Sequence, residues 1–279
     1  MCINNLSTTN SSWKTYLNCV DNYVNSSGVN AFLSAKGLTR VNNVNGVTDG
    51  TGMFSTCTNL TYVNLYNSLD TLSNAVNMFK SSNNITNLIG FGASSKHTFT
   101  SLSDISYVFS DTNYTTPIDR RISTSYNGDF IANYAFHTAD GYSNAIINLP
   151  NATSASLRGT FLNSTTSNVY INAPNVTSVN LYQTFYQSSV SNIYLNLPDS
   201  LTPASLANCF NARVLAVPTN IYVRPNSTLN TLFYNAGKAT TGLFASAYTW
   251  TLDETNTCYY NTTANIYVYY NLTSLPSDL

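Results

Sequence analysis

Charge is what this sequence has least of. Only 8% of its 279 residues are Asp, Glu, Lys or Arg, against roughly 25% in an ordinary soluble domain. Glu254 is the sole glutamate, and His97 and His137 are the only histidines. Eleven basic and 12 acidic residues leave a net charge of −1, so no strong field draws in a phosphate backbone or an anionic membrane, and nucleic acid is not an expected partner. Long apolar runs are also missing. No stretch approaches the ~18 apolar residues of a membrane span, and Met1-Cys2-Ile3-Asn4-Asn5-Leu6 has neither the basic start nor the apolar run of a secretory signal. Cys2, Cys19, Cys57, Cys209 and Cys258 are odd in number and scattered. Without the close pairs of a zinc or redox site they read as free thiols.

Catalytic patterns are equally thin. Neither a Gly-x-Ser-x-Gly elbow nor a phosphate loop occurs, and the two histidines are distant in the chain. The expectation is a protein that is not an enzyme, with no cofactor and no catalytic or metal-binding residues.

What is abundant is Asn, Ser, Thr and aromatic rings. Disordered chains are poor in aromatics, whereas this one has 21 Tyr and 13 Phe, so it should fold. A polar surface with little charge repels its neighbours weakly, which suits a protein held in an assembly.

The phenylalanines are regularly spaced. Phe54, Phe79, Phe109, Phe136, Phe161, Phe185, Phe210 and Phe233 are separated by 25, 30, 27, 25, 24, 25 and 23 residues, a period of roughly 24 that marks a repeat architecture. Four residues before several of them lies a large aliphatic, as in Ile105/Phe109, Leu157/Phe161 and Leu181/Phe185. That spacing predicts a short helical turn at each anchor. Beyond the anchor comes an alternating run such as Val169-Tyr170-Ile171-Asn172-Ala173-Pro174 or Ile193-Tyr194-Leu195-Asn196-Leu197-Pro198. Period two is a strand, and the closing proline ends it. One coil cannot bury its apolar face alone, but stacked coils join those faces into a single core. The fold expected is therefore a repeat solenoid of about eight coils, leucine-rich-repeat-like, with short parallel strands and short helical turns. A β-sandwich would show turn signals about every 8 to 12 residues, half the period found here.

Phe54-Ser55-Thr56-Cys57-Thr58-Asn59-Leu60-Thr61-Tyr62-Val63-Asn64-Leu65 and Ile131-Ala132-Asn133-Tyr134-Ala135-Phe136 resemble the BspA-like leucine-rich repeats. The likeness spans about residues 50 to 235; it departs from the family in keeping the cysteine after the anchor only at Cys57 and in an irregular coil between Phe109 and Phe136. The resemblance implies an adhesive cell-surface protein or a phage protein carrying similar repeats.

Three regions are expected. Residues 1–30 form an N-terminal cap or docking segment, helical from Ser12 to Asn25 on the spacing of Trp13, Tyr16, Leu17, Val20, Tyr23 and Val24. Residues 31–235 form the solenoid, with Phe32 as the anchor of a degenerate first coil, and residues 236–279 form a C-terminal cap. Asp119-Arg120-Arg121, the densest charge cluster, reads as an exposed loop held by local ion pairs. Asn-x-Ser/Thr triplets such as Asn163-Ser164-Thr165 follow from composition and do not establish glycosylation.

If Ile, Leu and Val point inward along each strand, Tyr62, Tyr170, Tyr194, Tyr222 and Tyr267 form one outward row, with Asn172, Asn196 and Arg224 beside it. Tyr gives a flat apolar face and a hydroxyl, and Asn gives donor and acceptor together, a combination suited to sugar rings or a partner protein. The same residues would also stabilise a parallel sheet simply by touching one another. The partners expected are other virion or surface proteins and a host glycan or receptor, at a virion surface or, alternatively, a cell surface or the extracellular space. An intracellular interaction scaffold is a third alternative.

Overall fold

The Phe, Val and Ile positions of each coil have nothing to pack against except their counterparts in the next coil, and that is the architecture found. A computed structural model describes residues 2–6, 14, 16–92, 97–199, 202–205, 208–210, 218–225 and 250–275, with 2 and 202–205 described by backbone alone. It is a parallel β-solenoid of about eight turns.

In chain order its strands are β1 (Cys2–Leu6), β2 (Cys19–Val24), β3 (Arg40–Val41), β4 (Val44–Asn45), β5 (Tyr62–Asn64) and β6 (Asn87–Ile89). Then come β7 (Asn113–Ser123), β8 (Asp129–Ile131), β9 (Asp140–Asn148), β10 (Ser154–Ser156), β11 (Thr165–Asn172) and β12 (Ser178–Asn180). The last are β13 (Asn192–Asn196), β14 (Thr202–Ser205), β15 (Thr219–Val223), β16 (Thr251–Asp253), β17 (Cys258–Asn261) and β18 (Ile266–Tyr269). The first six form one sheet in the order β1-β2-β3-β5-β6, with β4 against β2. A four-stranded sheet runs β14-β12-β10-β8. An eight-stranded sheet runs β16-β17-β18-β15-β13-β11-β9-β7, parallel except where β17 turns back against β18 and β16 against β17.

The phenylalanines form the spine. Phe32, Phe54, Phe79, Phe109, Phe136, Phe161, Phe185 and Phe210 follow one another at ring-centroid distances of 5.3, 5.5, 5.6, 5.4, 5.1, 5.5 and 5.1 Å. Phe32 is thus the first ring of the column; Phe233 lies outside the described residues. Facing the spine are the inward strand positions Ala145, Val169, Ile193, Ile221 and Val268, and Ile147, Ile171, Leu195 and Val223, all buried and aligned in register.

The turn at each phenylalanine is not helical. Residues two before and two after the ring adopt left-handed φ: Asn77 (55°) and Ser81 (56°) around Phe79, Tyr107 (58°) and Asp111 (56°) around Phe109, Gln183 (55°) and Gln187 (56°) around Phe185. Such residues break a right-handed helix. Alternate N–H groups close tight turns, as Lys80 to Asn77 O (3.2 Å), while those between reach the next coil, as Asn77 to Ser106 O (2.9 Å), Phe79 to Val108 O (3.0 Å) and Ser81 to Ser110 O (2.9 Å). A run of tight turns also brings i and i+4 to one side, so Leu157 and Phe161 are both buried although no helix joins them. Among the described residues the one helical element is a 3-10 turn, Tyr66–Ser68.

Three further expectations are corrected. The helix across Ser12–Asn25 is replaced, over Cys19–Val24, by strand β2, which pairs in parallel with β1 and β3; Trp13 lies outside the described residues. Cys-Val-Asp-Asn-Tyr-Val is a poor helix former, and two neighbouring strands satisfy its backbone. That pairing also sets position 2 directly across from Cys19. Cys19 is disulfide-bonded, whereas Cys57, Cys209 and Cys258 are free and buried. Residues 17 apart in sequence become neighbours only through the register, which spacing alone does not disclose.

Arg120 departs furthest from its expected place in an exposed loop. It is 1% exposed and lies over the rings of Phe109 (5.4 Å) and Tyr114 (5.5 Å). Its Nη2 donates to the Ile85 carbonyl and to the Tyr114 hydroxyl, the latter at 3.4 Å, and its Nη1 to the Asp119 carbonyl at 3.1 Å. This is where the long coil between Phe79 and Phe109 is accommodated. Gly92 meets Arg120 in an antiparallel bridge, and β7 shifts register against β9 on either side of Ile118.

Candidate functional site

On the outward face of the eight-stranded sheet, register turns single residues into rows. Tyr170 faces Tyr194, Tyr194 faces Tyr222 and Tyr222 faces Tyr269. Their rings stack at 4.6, 4.4 and 4.9 Å with interplanar angles of 8°, 5° and 14°, close to the ~4.8 Å between strands. The row of tyrosines foreseen from sequence is therefore built from Tyr170, Tyr194, Tyr222 and Tyr269. Tyr267 is not in it. Both Tyr267 and Tyr269 point outward from β18, but the register sets Tyr267 opposite Asn220, and its ring packs on Tyr260 at 5.6 Å. A shift of two residues keeps the face and changes the row. Tyr62 is also apart. It lies in β5 of the other sheet, between Arg40 and Asn87, with the Arg40 guanidinium 4.7 Å from its ring centroid.

Two asparagine rows flank the tyrosines. On one side Asn196 Nδ2 donates to Asn172 Oδ1 (2.6 Å), Asn172 to Asn148 Oδ1 (2.7 Å) and Asn148 to Ser123 Oγ (2.9 Å). On the other, Asn220 donates to Asn192 (2.9 Å), Asn192 to Asn168 (2.8 Å), Asn168 to Asn144 (3.0 Å) and Asn144 to the carboxylate of Asp119 (2.8 Å). The second row was not foreseen; Asn168, Asn192 and Asn220 each stand immediately ahead of the alternating core on which the sequence pattern was read, and Asn144 three residues ahead of it. Arg224 closes the edge in an ion pair with Asp199, Nε to Oδ1 at 2.8 Å.

This arrangement decides what the face offers a ligand. Stacked rings cover each other's flat sides, so along the row the tyrosines present edges and hydroxyls. Desolvation, then the neighbouring phenols of Tyr194 and Tyr269, push the Tyr222 hydroxyl up to about 12. The outward face is a comb of phenol hydroxyls, with Tyr170 buried and Tyr194, Tyr222 and Tyr269 half-buried, between two rails of amides whose donors are directed along the solenoid.

A second column of rings runs along the turns and escaped the sequence pattern. Lys80 Nζ lies 5.6 Å from the centroid of Tyr107, Tyr107 stacks on Tyr134 at 5.1 Å, and Arg158 lies between Tyr134 (6.0 Å) and Tyr182 (5.0 Å). Gly159, at φ 58°, makes this possible: a Cβ there would come within 2.4 Å of the Tyr134 ring. The available signal was that Tyr107 and Tyr134 each stand two residues before a spine phenylalanine.

Other reactive groups are withdrawn from solvent. Burial pushes the Cys57 thiol up to about 12, and its Sγ donates to the Phe32 carbonyl at 2.9 Å. Burial lowers the His137 imidazole, against the opposing pull of Asp111 at 3.9 Å. Among the described residues no group of three His, Cys, Asp or Glu side chains is placed to hold a metal ion, and no helix is long and apolar enough to cross a membrane. Comparison with protein-family models, with curated proteins and with solved structures gave no match in any of the three.

Proposed function

We propose that this chain is a non-enzymatic virion structural or adhesion protein, a fibre, decoration or host-attachment component, that binds a protein or glycan partner through the outward face of its eight-stranded sheet. The observation that carries the reading is the tyrosine comb between its asparagine rails. Side chains already fixed by their neighbours lose little entropy when a partner docks, and hydroxyls repeated at the strand spacing match a partner that is itself repetitive. Low surface charge supports close packing among subunits.

The disulfide at Cys19 supports an oxidising location such as a virion or cell surface. It favours a second reading, a secreted adhesin with BspA-like repeats, over an intracellular scaffold. Mass spectrometry of particles purified from the native source should find this chain as a constituent; recovery only from protease-shaved cell surfaces would favour the adhesin. The face itself is tested by replacing Tyr170, Tyr194 and Tyr222 together with Phe, which keeps the stack and removes the hydroxyls. Partner capture should fall at least about tenfold, the scale of losing one to two hydrogen bonds. Unchanged capture by this variant and by the corresponding triple Ala variant overturns the assignment of the face.

A further inference from the structure

The turn-side column contains an exposed cation held by aromatic rings. Arg158 is exposed, and among the described residues no carboxylate pairs with it. Its backbone N–H donates to Asn133 Oδ1 at 3.2 Å and its Nε to the Tyr134 hydroxyl at 3.2 Å. The guanidinium carbon lies 6.0 Å from the ring centroid of Tyr134 and 5.0 Å from that of Tyr182, and neither Nη group has a hydrogen-bond partner in the described structure. On the next coil the Gly159 N–H donates to the Tyr182 carbonyl at 2.9 Å, which sets Gln183, the residue after Tyr182, beside this position, and the Gln183 side-chain amide likewise makes no hydrogen bond within the described structure. In a chain with so few charges, a guanidinium fixed by two aromatic rings with its fork open to solvent is a ready bidentate site for a planar anion. The Gln183 amide beside it is a neutral donor and acceptor of the kind that hydroxyl groups satisfy.

From this we infer that Arg158, with Tyr134 and Tyr182 positioning it and Gln183 beside it, forms a binding site for a carboxylated saccharide, a uronic-acid unit of an acidic glycan. The carboxylate takes the two Nη groups and a sugar hydroxyl takes the Gln183 amide. The site lies on the turns, apart from the tyrosine comb of the sheet, and stands whether or not that comb binds a partner.

Calorimetric titration of the full chain with an oligogalacturonate tests it, with the methyl-esterified oligomer and sodium sulfate as comparison probes. The oligogalacturonate should bind, the ester at least about tenfold more weakly, as expected for loss of a charge-assisted pair. Arg158→Gln should weaken binding by a similar factor, and Arg158→Lys, which keeps the charge and loses the fork, nearly as much. The triple Phe variant at Tyr170, Tyr194 and Tyr222 should bind as the parent does. Absence of binding at millimolar oligomer, parental affinity in Arg158→Gln or Arg158→Lys, or competition by sulfate at concentrations equal to those of the oligomer each overturns the inference. Arg158 is a surface residue, so circular dichroism of the two Arg158 variants should match the parent and separate loss of binding from loss of fold.

Discussion

Strand β5 and the core of strand β11 both lie eight to ten residues beyond a spine phenylalanine, yet their outward residues behave differently. In the C-terminal sheet, like sits beside like. Tyrosine stacks on tyrosine, and asparagine donates to asparagine over three consecutive pairings on one rail before a final bond to Asp119. In the N-terminal sheet Tyr62 has Arg40 and Asn87 as its neighbours, and Asn64 makes one 3.5 Å contact with Asn43. The strands are correspondingly short there, two or three residues in β3, β4, β5 and β6 against five to nine in β9, β11, β13 and β15. The inner wall needs only apolar residues of suitable size, which both halves supply. The outer wall becomes a ladder only where coils repeat the same residue in the same register.

The largest effect is expected where both halves are alike, in the spine. Phe161→Ala removes a fully buried ring that stacks on Phe136 and Phe185, and should lower the unfolding free energy in urea by about 3–5 kcal/mol. Phe109→Ala should cost more, because Phe109 also faces Phe91 and the buried Arg120 guanidinium. A small loss for both would mean that the outer ladders, and not the spine, hold the coils together.

How much of this the sequence disclosed follows from the same contrast. Spine phenylalanines recur as one residue type at a near-constant interval, so the solenoid and its number of turns were readable. Turn conformation was not. An i, i+4 apolar pair is compatible both with a helical turn and with paired left-handed residues, and Asn77, Tyr107 or Gln183 carries no mark of positive φ in its identity. Row membership was only partly readable. Tyr62 follows its phenylalanine by eight residues, whereas Tyr170 and Tyr194 follow theirs by nine, and Tyr267 and Tyr269 are separated by register alone. Arg120 was misplaced because nothing in Asp-Arg-Arg tells that the extra residues of the preceding coil fold over it. The column of Lys80, Tyr107, Tyr134, Arg158 and Tyr182 was hidden because successive coils use different residues to build it.

An intermediate effect separates the two outer walls. Asn192→Ala removes one amide that donates to Asn168 and accepts from Asn220, leaving both neighbours short of a partner in a half-buried row. The expected loss is about 1–3 kcal/mol in chemical denaturation. Asn64→Ala removes one long contact to Asn43 and one bond from the Tyr66 N–H (2.9 Å) on the exposed side, and should cost less than half as much. Equal losses would show that the C-terminal ladder adds nothing beyond local turn bonds.

The smallest effect is the response to alkali. Tyr222 titrates in the folded chain at about 12, above the ~10 of a free phenol. Below pH 10 the folded and unfolded states are both protonated at this site, and its contribution to stability is complete. Between pH 10 and 12 the unfolded chain releases the proton first, so stability falls as pH rises. Desolvation in Tyr114, Tyr142 and Tyr259 acts in the same direction, which makes the overall decline common to several sites and the Tyr222 share visible only by difference. Thermal melts of Tyr222→Phe and the parent should therefore run parallel below pH 10 and converge or cross as the parent loses stability toward pH 12, with the variant's decline the shallower. Because Tyr222 is half-buried, solvent screens much of the interaction and the difference should be modest. Parallel curves across the whole range would mean that Tyr222 titrates alike in the folded and unfolded chain, and that neither burial in the stack nor its neighbouring phenols hold its proton.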